Sequence, residues 1–272
     1  METVFHTSLV VLTALYTALA MLYARIFSRG DAEAGSLSRP LLAGTVALHF
    51  GSIALRGKIV QACPLGTPGE FLSLLAASIA LIYLLLELRL GVRTTGVFAL
   101  APTLLLQLVA TVRMLGESPV EPLKLGVLRS LHSFATVAAF SGVAFSGIYG
   151  VLYLALYGAI KAGRFGVFFR KMPPLETLGD LHFAAVRLAF FALTAAVALG
   201  AWMLASLPQP AVSARSAEVL AASALWLFFG AAIAARKVFS LGGKRLAYGT
   251  VLASLILAAL VVGGFVTGTF HR

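Results

Sequence analysis

The chain has 272 residues, 60% of them hydrophobic and only 11% charged, whereas about a quarter of an ordinary soluble domain is charged. The apolar residues come in long unbroken blocks that a soluble fold of this size has no interior to bury, which excludes a water-soluble enzyme and leaves the bilayer as solvent. The net charge of +11 sits in short loops between those blocks, with no extended basic face to follow a phosphate backbone, so nucleic acid is excluded as a partner.

Eight apolar blocks run along the chain, at 4–25, 40–57, 70–88, 94–112, 130–158, 183–207, 216–235 and 247–268. Each is about long enough to cross ~30 Å of hydrocarbon at 1.5 Å per residue, and the fifth is longer than it needs to be. The expected fold is an all-α membrane protein, a polytopic bundle of about eight transmembrane helices forming a single integral membrane domain over 1–272.

The first block has Glu2 and no Lys or Arg before its apolar run; Arg25 and Arg29 follow it. A signal peptide has the opposite arrangement, so this reads as a retained helix with its N-terminus outside. The basic residues favour the same orientation. Fourteen of 21 then fall inside: Arg25, Arg29, Arg39, Arg89, Arg93, Lys161, Arg164, Arg170, Lys171, Arg187, Arg236, Lys237, Lys244 and Arg245. Both termini are expected outside.

The longest loop, 159–182, is basic and carries Met172-Pro173-Pro174-Leu175-Glu176. Two consecutive prolines stop the preceding helix and fix an extended turn before the next. Gly142, Ser146 and Gly150 recur every four residues in the fifth block, with Gly147 beside them, and Gly264 and Gly268 pair in the eighth. Such small-residue faces let helix backbones approach closely in lipid. They would equally leave room for a flat cofactor.

Ionisable residues inside membrane helices are costly and therefore informative. His6, His132 and His271 all fall at the external membrane edge in this topology, His49 near the middle of the second helix, and His182 at the cytoplasmic entrance of the sixth. Two imidazoles from different helices at one depth can ligate a haem iron from opposite faces. His132 and His271 meet that requirement, as does His6, and spacing does not choose between the pairs. Interfacial histidines without any ligand are also common. A buried His49 needs hydrogen-bond partners or a metal. Arg56, two turns further along the same face, is placed to meet a haem propionate or to snorkel to lipid phosphate. Glu87 is expected to pair with a nearby arginine. A single cysteine, Cys63, rules out an intramolecular disulfide and a c-type haem attachment motif. Walker, nucleophile-elbow, HExxH and dinucleotide motifs are missing, so no catalytic residue is assigned.

These residues resemble the cytochrome c assembly family of membrane proteins, which includes CcsA and the HemX-like proteins. The stretch from His49 to Glu70, HFGSIALRGKIVQACPLGTPGE, is similar to the family's helix His, following Arg, Pro-Leu and helix-opening Glu. From His132 to Trp202 the cues are a His opening a long helix, Tyr149 to Tyr157 near its end, the PPLE turn, and a helix closing on Gly-Ala-Trp. Thr269-Phe270-His271 stands where the family has its last external histidine. The resemblance implies a haem-handling protein of the bacterial cytoplasmic membrane, binding haem b with His132 and His271 as axial ligands, and His49 and Arg56 as further cofactor contacts. Implied partners are other cytochrome c biogenesis subunits or a haem-biosynthesis enzyme. The family's haem-presenting members carry a WGxxWxWD-type loop, where this chain reads WMLASLPQPAVSARSAE, a stretch whose one tryptophan is Trp202. That departure points to the HemX-like branch, associated with haem-biosynthesis gene clusters and control of glutamyl-tRNA reductase.

Overall fold

The structure, a computed structural model, describes residues 1–116, 126–206, 216–239 and 243–267. Among them lie nine α-helices and no strand: α1 (Glu2–Arg29), α2 (Ala32–Val60), α3 (Pro68–Leu90), α4 (Gly96–Gly116), α5 (Val127–Lys161), α6 (Val167–Lys171), α7 (Leu175–Ser206), α8 (Ala217–Phe239) and α9 (Gly243–Thr267). The protein is an all-α integral membrane protein. Seven of these helices are long and apolar enough to cross a bilayer. The exception among the long ones is α2, whose 29 residues have the length but carry a polar load.

Where the sequence reads one membrane domain, the backbone divides into two compact units, Met1–Leu125 with Gly166–Pro173, and Gly126–Phe165 with Pro174–Arg272. In the first, α1 to α4 close a ring, each helix packed on the next and α4 returning to α1. Left-handed glycines end α1 and α3, at Gly30 (φ 69°) and Gly91 (φ 67°), a conformation that costs glycine nothing. Pro68 sits in the first turn of α3, behind a capping box in which Thr67 and Glu70 satisfy each other's backbone N–H groups. In the second unit, α5 lies along both α7 and α9, and α8 packs on α7. Its core is built from Ala139, Val143, Val186, Ala189, Phe229 and Ala253 with their neighbours.

Two element boundaries differ from the apolar blocks, for one reason. α7 begins at Leu175, directly after the two prolines, and α2 begins at Ala32. Both opening turns are polar (Glu176 and Asp180 in one, Glu33 and Arg39 in the other), so hydropathy places the start about two turns late. At α2 the cap is explicit: the Asp31 carboxylate accepts from the Ala34 N–H at 3.0 Å and pairs with Arg25 at 2.5 Å. These contacts, the backbone bond first, hold the Asp31 carboxyl below its usual range.

The small-residue face of α5 is filled by protein. A Cβ at Gly142 would fall 2.6 Å from the backbone nitrogen of Ala189 on α7, and one at Gly150 would fall 3.0 Å from Val251 on α9. The face is thus a packing surface for two helices, and the room for a flat cofactor is taken. Gly268 lies outside the described residues. Gly142→Val is expected to destabilise the protein by about 1–3 kcal/mol through overpacking against backbone. Gly158→Ala on the same helix, with nothing within 4 Å of the added carbon, should be neutral or stabilising by up to about 1 kcal/mol. Thermal unfolding of the two variants in one detergent checks the contrast; equal losses would contradict the packing described.

Candidate functional site

The first unit is built around polar contacts between α2 and its neighbours. The buried stripe of α2 includes Ser38, Thr45, His49 and Ser52, whereas Leu37, Leu48 and Phe50 face outward. The helix is inverted for a bilayer: polar inside, apolar towards lipid. At one end Arg39 pairs with Glu87 of α3 at 3.4 Å; at the other Arg56 pairs with Glu70 of α3 at 2.7 Å. From 39 to 56 on α2 and from 70 to 87 on α3 the separation is the same, 17 residues, or about 26 Å of helix. The two ion pairs therefore bracket a length close to the hydrocarbon thickness of ~30 Å.

Glu87 is fully buried and gathers more than one partner. Arg93 reaches it at 3.2 Å, the Tyr23 hydroxyl donates to its other oxygen, and Arg93 Nη1 donates to the Gly35 carbonyl at 2.6 Å. The sequence expectation of an arginine partner for Glu87 is met twice over. Arg56 departs from its expectation. It neither snorkels nor stands free for a propionate; it is held by Glu70 and lies over the Phe5 ring, 5.3 Å from its centroid.

His49, also fully buried, sits midway between the clamps. Ser73 donates onward to Gln107 at 3.3 Å, so its oxygen accepts from His49 Nε2–H at 2.9 Å. His49 Nδ1 then accepts from the Tyr16 hydroxyl at 2.9 Å. Gln107 passes the chain on to Thr111 at 3.1 Å, and Thr111 meets Thr13 of α1 at 2.9 Å. One hydrogen-bonded string thus links α1, α2, α3 and α4. Both ring nitrogens of His49 are spent on it, and neither is left for an iron.

His132 is different. It lies in the second turn of α5, partly buried, and its Nδ1–H donates to the Ala196 carbonyl of α7 at 2.9 Å. Gly200, one turn further along α7, admits the ring: a Cβ there would come 3.1 Å from His132 Cε1. A backbone carbonyl holding Nδ1–H fixes both tautomer and ring orientation and leaves the Nε2 lone pair to a ligand, as in metal-bound histidines. The residues present therefore fit one side of a haem iron at this position. Trp202 follows on α7, 62% exposed. His271 lies outside the described residues. His6, in the first unit, is exposed beside Phe5. Among the described residues no cluster of three His, Cys, Asp or Glu could hold a metal ion.

His182 was assigned no role from sequence, yet it is buried in the second unit. Thr250 donates to the Ala247 carbonyl at 3.1 Å and accepts from His182 Nε2–H at 2.8 Å, while His182 Nδ1 has no partner. Beside it on α7, Phe183 carries the Arg236 guanidinium 4.1 Å from its ring centroid, and Arg236 approaches Asp180 at 3.7 Å. Comparison of the chain with protein families, curated proteins and solved structures finds no match.

Sequence reasoning located His49, Arg56 and Glu87 but not what they touch. Tyr16, Ser73, Gln107 and Thr111 went unremarked, although each is a polar residue inside an apolar span, which is the signal that would have found them. The Thr67-Pro68-Gly69-Glu70 box was equally readable. Replacing Glu87 with Ala leaves two arginines facing a buried void. Because both reach partly to solvent, the expected loss is about 2–3 kcal/mol, below the full cost of breaking a wholly buried pair. His49→Phe strands the Tyr16 hydroxyl, at about 1–3 kcal/mol for the unmet donor, while Ser73 keeps its bond to Gln107. Denaturant unfolding in mixed micelles measures both, and a wild-type midpoint for either variant would refute the network.

Proposed function

We propose that this is a haem-binding membrane protein of the HemX-like kind, in which His132 supplies an axial ligand through Nε2. The observation that carries this reading is the 2.9 Å bond from His132 Nδ1–H to the Ala196 carbonyl, which orients the ring and leaves the other nitrogen available. Gly200 seats the His132 ring, and the exposed Trp202 on the same end of α7 would suit a flat aromatic ligand there. His271 is proposed as the opposing ligand on the strength of the resemblance. Haem b, when bound by two imidazoles, supplies a low-spin iron that carries an electron or is handed on as cargo. The part of the chain's own residues is to hold and orient it at one end of the second unit. Control of a haem-biosynthesis enzyme, or a role beside cytochrome c biogenesis subunits in the bacterial cytoplasmic membrane, belongs to the same proposal.

A second reading, a haem-free structural subunit of a membrane complex, is favoured by two findings. The polar interior of the first unit pairs with itself, and the small-residue face of α5 is filled by α7 and α9. Visible spectra separate the two. Protein purified in detergent after expression with ample haem is expected to show a six-coordinate low-spin spectrum. His132→Ala and His271→Ala should each lose it, and His49→Gln should keep it in whatever fraction folds. A colourless wild type that takes up no added haem overturns the proposal and leaves the structural subunit. Retention of the low-spin signal in His132→Ala would remove that residue from the site.

A further inference from the structure

The first unit ends in a ring of cations that its own carboxylates do not neutralise. Tyr83 of α3 hydrogen-bonds to the Arg93 carbonyl just before α4, and Tyr23 of α1 stacks edge-on against Tyr83. These contacts bring the ends of α1 and α3 and the start of α4 to the same end of the unit. The short helix α6 joins them there, with Phe168 packed edge-on to Phe27 of α1 and Phe98 of α4 at 6.3 and 6.4 Å. Met172 and Pro173 behind it are buried. Lys171 lies at the C-terminus of α1, where a Cβ on Gly30 would fall 2.5 Å from Nζ.

Of the charges at this end, Arg25 is paired with Asp31, and Arg39 and Arg93 share Glu87. Arg29, Arg89, Arg170 and Lys171 have no carboxylate at ion-pair distance among the described residues, and Glu33 is the one described acid here outside such a pair. Exposed apolar side chains alternate with these cations: Leu88 and Leu90 flank Arg89, and Val167 stands one turn before Arg170. An acidic soluble protein would meet this apolar surface unfavourably. A headgroup layer with acyl chains just beneath suits both kinds of side chain at once.

We infer that this end of the first unit, with α6 as an interfacial strap, selects anionic phospholipid headgroups from the surrounding bilayer through Arg29, Arg89, Arg170 and Lys171. The cations meet the headgroup phosphate and its net negative charge, while Val167, Leu88 and Leu90 lie against the upper acyl region. The inference does not depend on haem binding.

The test reconstitutes the full chain in phosphatidylcholine bilayers and measures the association of spin-labelled phosphatidylglycerol and phosphatidylcholine with the protein surface. Wild type is expected to prefer the anionic lipid by about fivefold at low salt, with the preference falling as salt rises. The variant Arg29→Gln, Arg89→Gln, Arg170→Gln, Lys171→Gln should fall close to no preference. The double variant Arg170→Gln, Lys171→Gln, which touches only α6, should fall between the two. Wild-type helicity by circular dichroism qualifies each variant for comparison. Equal association of the two lipids with wild type, or an undiminished preference in the folded double variant, overturns the inference. Loss of the preference on adding millimolar inorganic phosphate, at constant ionic strength, would reassign the cations to a free phosphate ligand.

Discussion

A membrane helix that carries Arg39, His49 and Arg56 needs a way to keep all three away from hydrocarbon, and the rest of the first unit follows from how this is done. The partner of α2 is α3, which presents Glu87 and Glu70 at the matching separation. A charge buried alone in lipid costs several kcal/mol, so each arginine fixes a glutamate opposite it, and two such pairs fix register. With α2 and α3 locked at both ends, the midpoint has a defined depth, and there His49 meets Ser73. The ring of four helices then closes through Tyr16 on α1 and Gln107 on α4, which complete the valence of His49 and Ser73. Apolar packing between helices in lipid has no hydrophobic drive to give it direction. In this unit the direction comes from the polar pairs.

The two well-placed histidines show why residue type and burial do not suffice to mark a ligand. His49 is the more deeply buried, and by the usual argument the more suggestive. Its two nitrogens are both occupied by side chains from other helices, so it is a structural junction. His132 is more exposed and had the ordinary explanation of an interfacial histidine, yet its ring is held through one nitrogen only. The difference lies in unspent hydrogen-bonding capacity, and that is a property of neighbours 24 to 64 residues away.

The same distinction explains how far the sequence could be read. Spans follow from composition, because only a continuous apolar block suits the bilayer, and seven of the eight expected crossings reappear as helices apolar enough to span. The eighth, α2, is found by its apolar residues, of which Leu37, Leu48 and Phe50 face outward while Leu42 and Val46 share the buried face with Ser38, Thr45, His49 and Ser52. Helical period alone could not distinguish the two orientations, since an inverted helix and an ordinary one share a pattern. The role of Gly142 as a contact residue was legible because a missing Cβ admits few explanations. Arg56 was not, because its partner Glu70 opens a different helix, and in one dimension that glutamate reads only as a helix-start acid.

Polar capacity is distributed unequally between the two units. In the first, the string from Tyr16 to Thr13 and the two clamps satisfy one another, and a ligand entering there would have to break bonds already made. The second unit is mostly apolar, with an Ala, Val and Phe core and α5 tightened against α7 and α9 by glycine. Yet it holds two histidines that are at least partly buried and have a nitrogen to spare: His132, whose Nδ1 alone is engaged, and His182, whose buried Nδ1 has no partner. A buried polar atom left unmet costs about 1–3 kcal/mol, and native folds keep few of them. In the second unit His182 Nδ1 on α7 is such an atom, kept beside helices that approach closely at Gly142 and Gly150. The first unit thus spends its buried polar groups on one another, whereas the second leaves one of its own, His182 Nδ1, without a partner among the described residues.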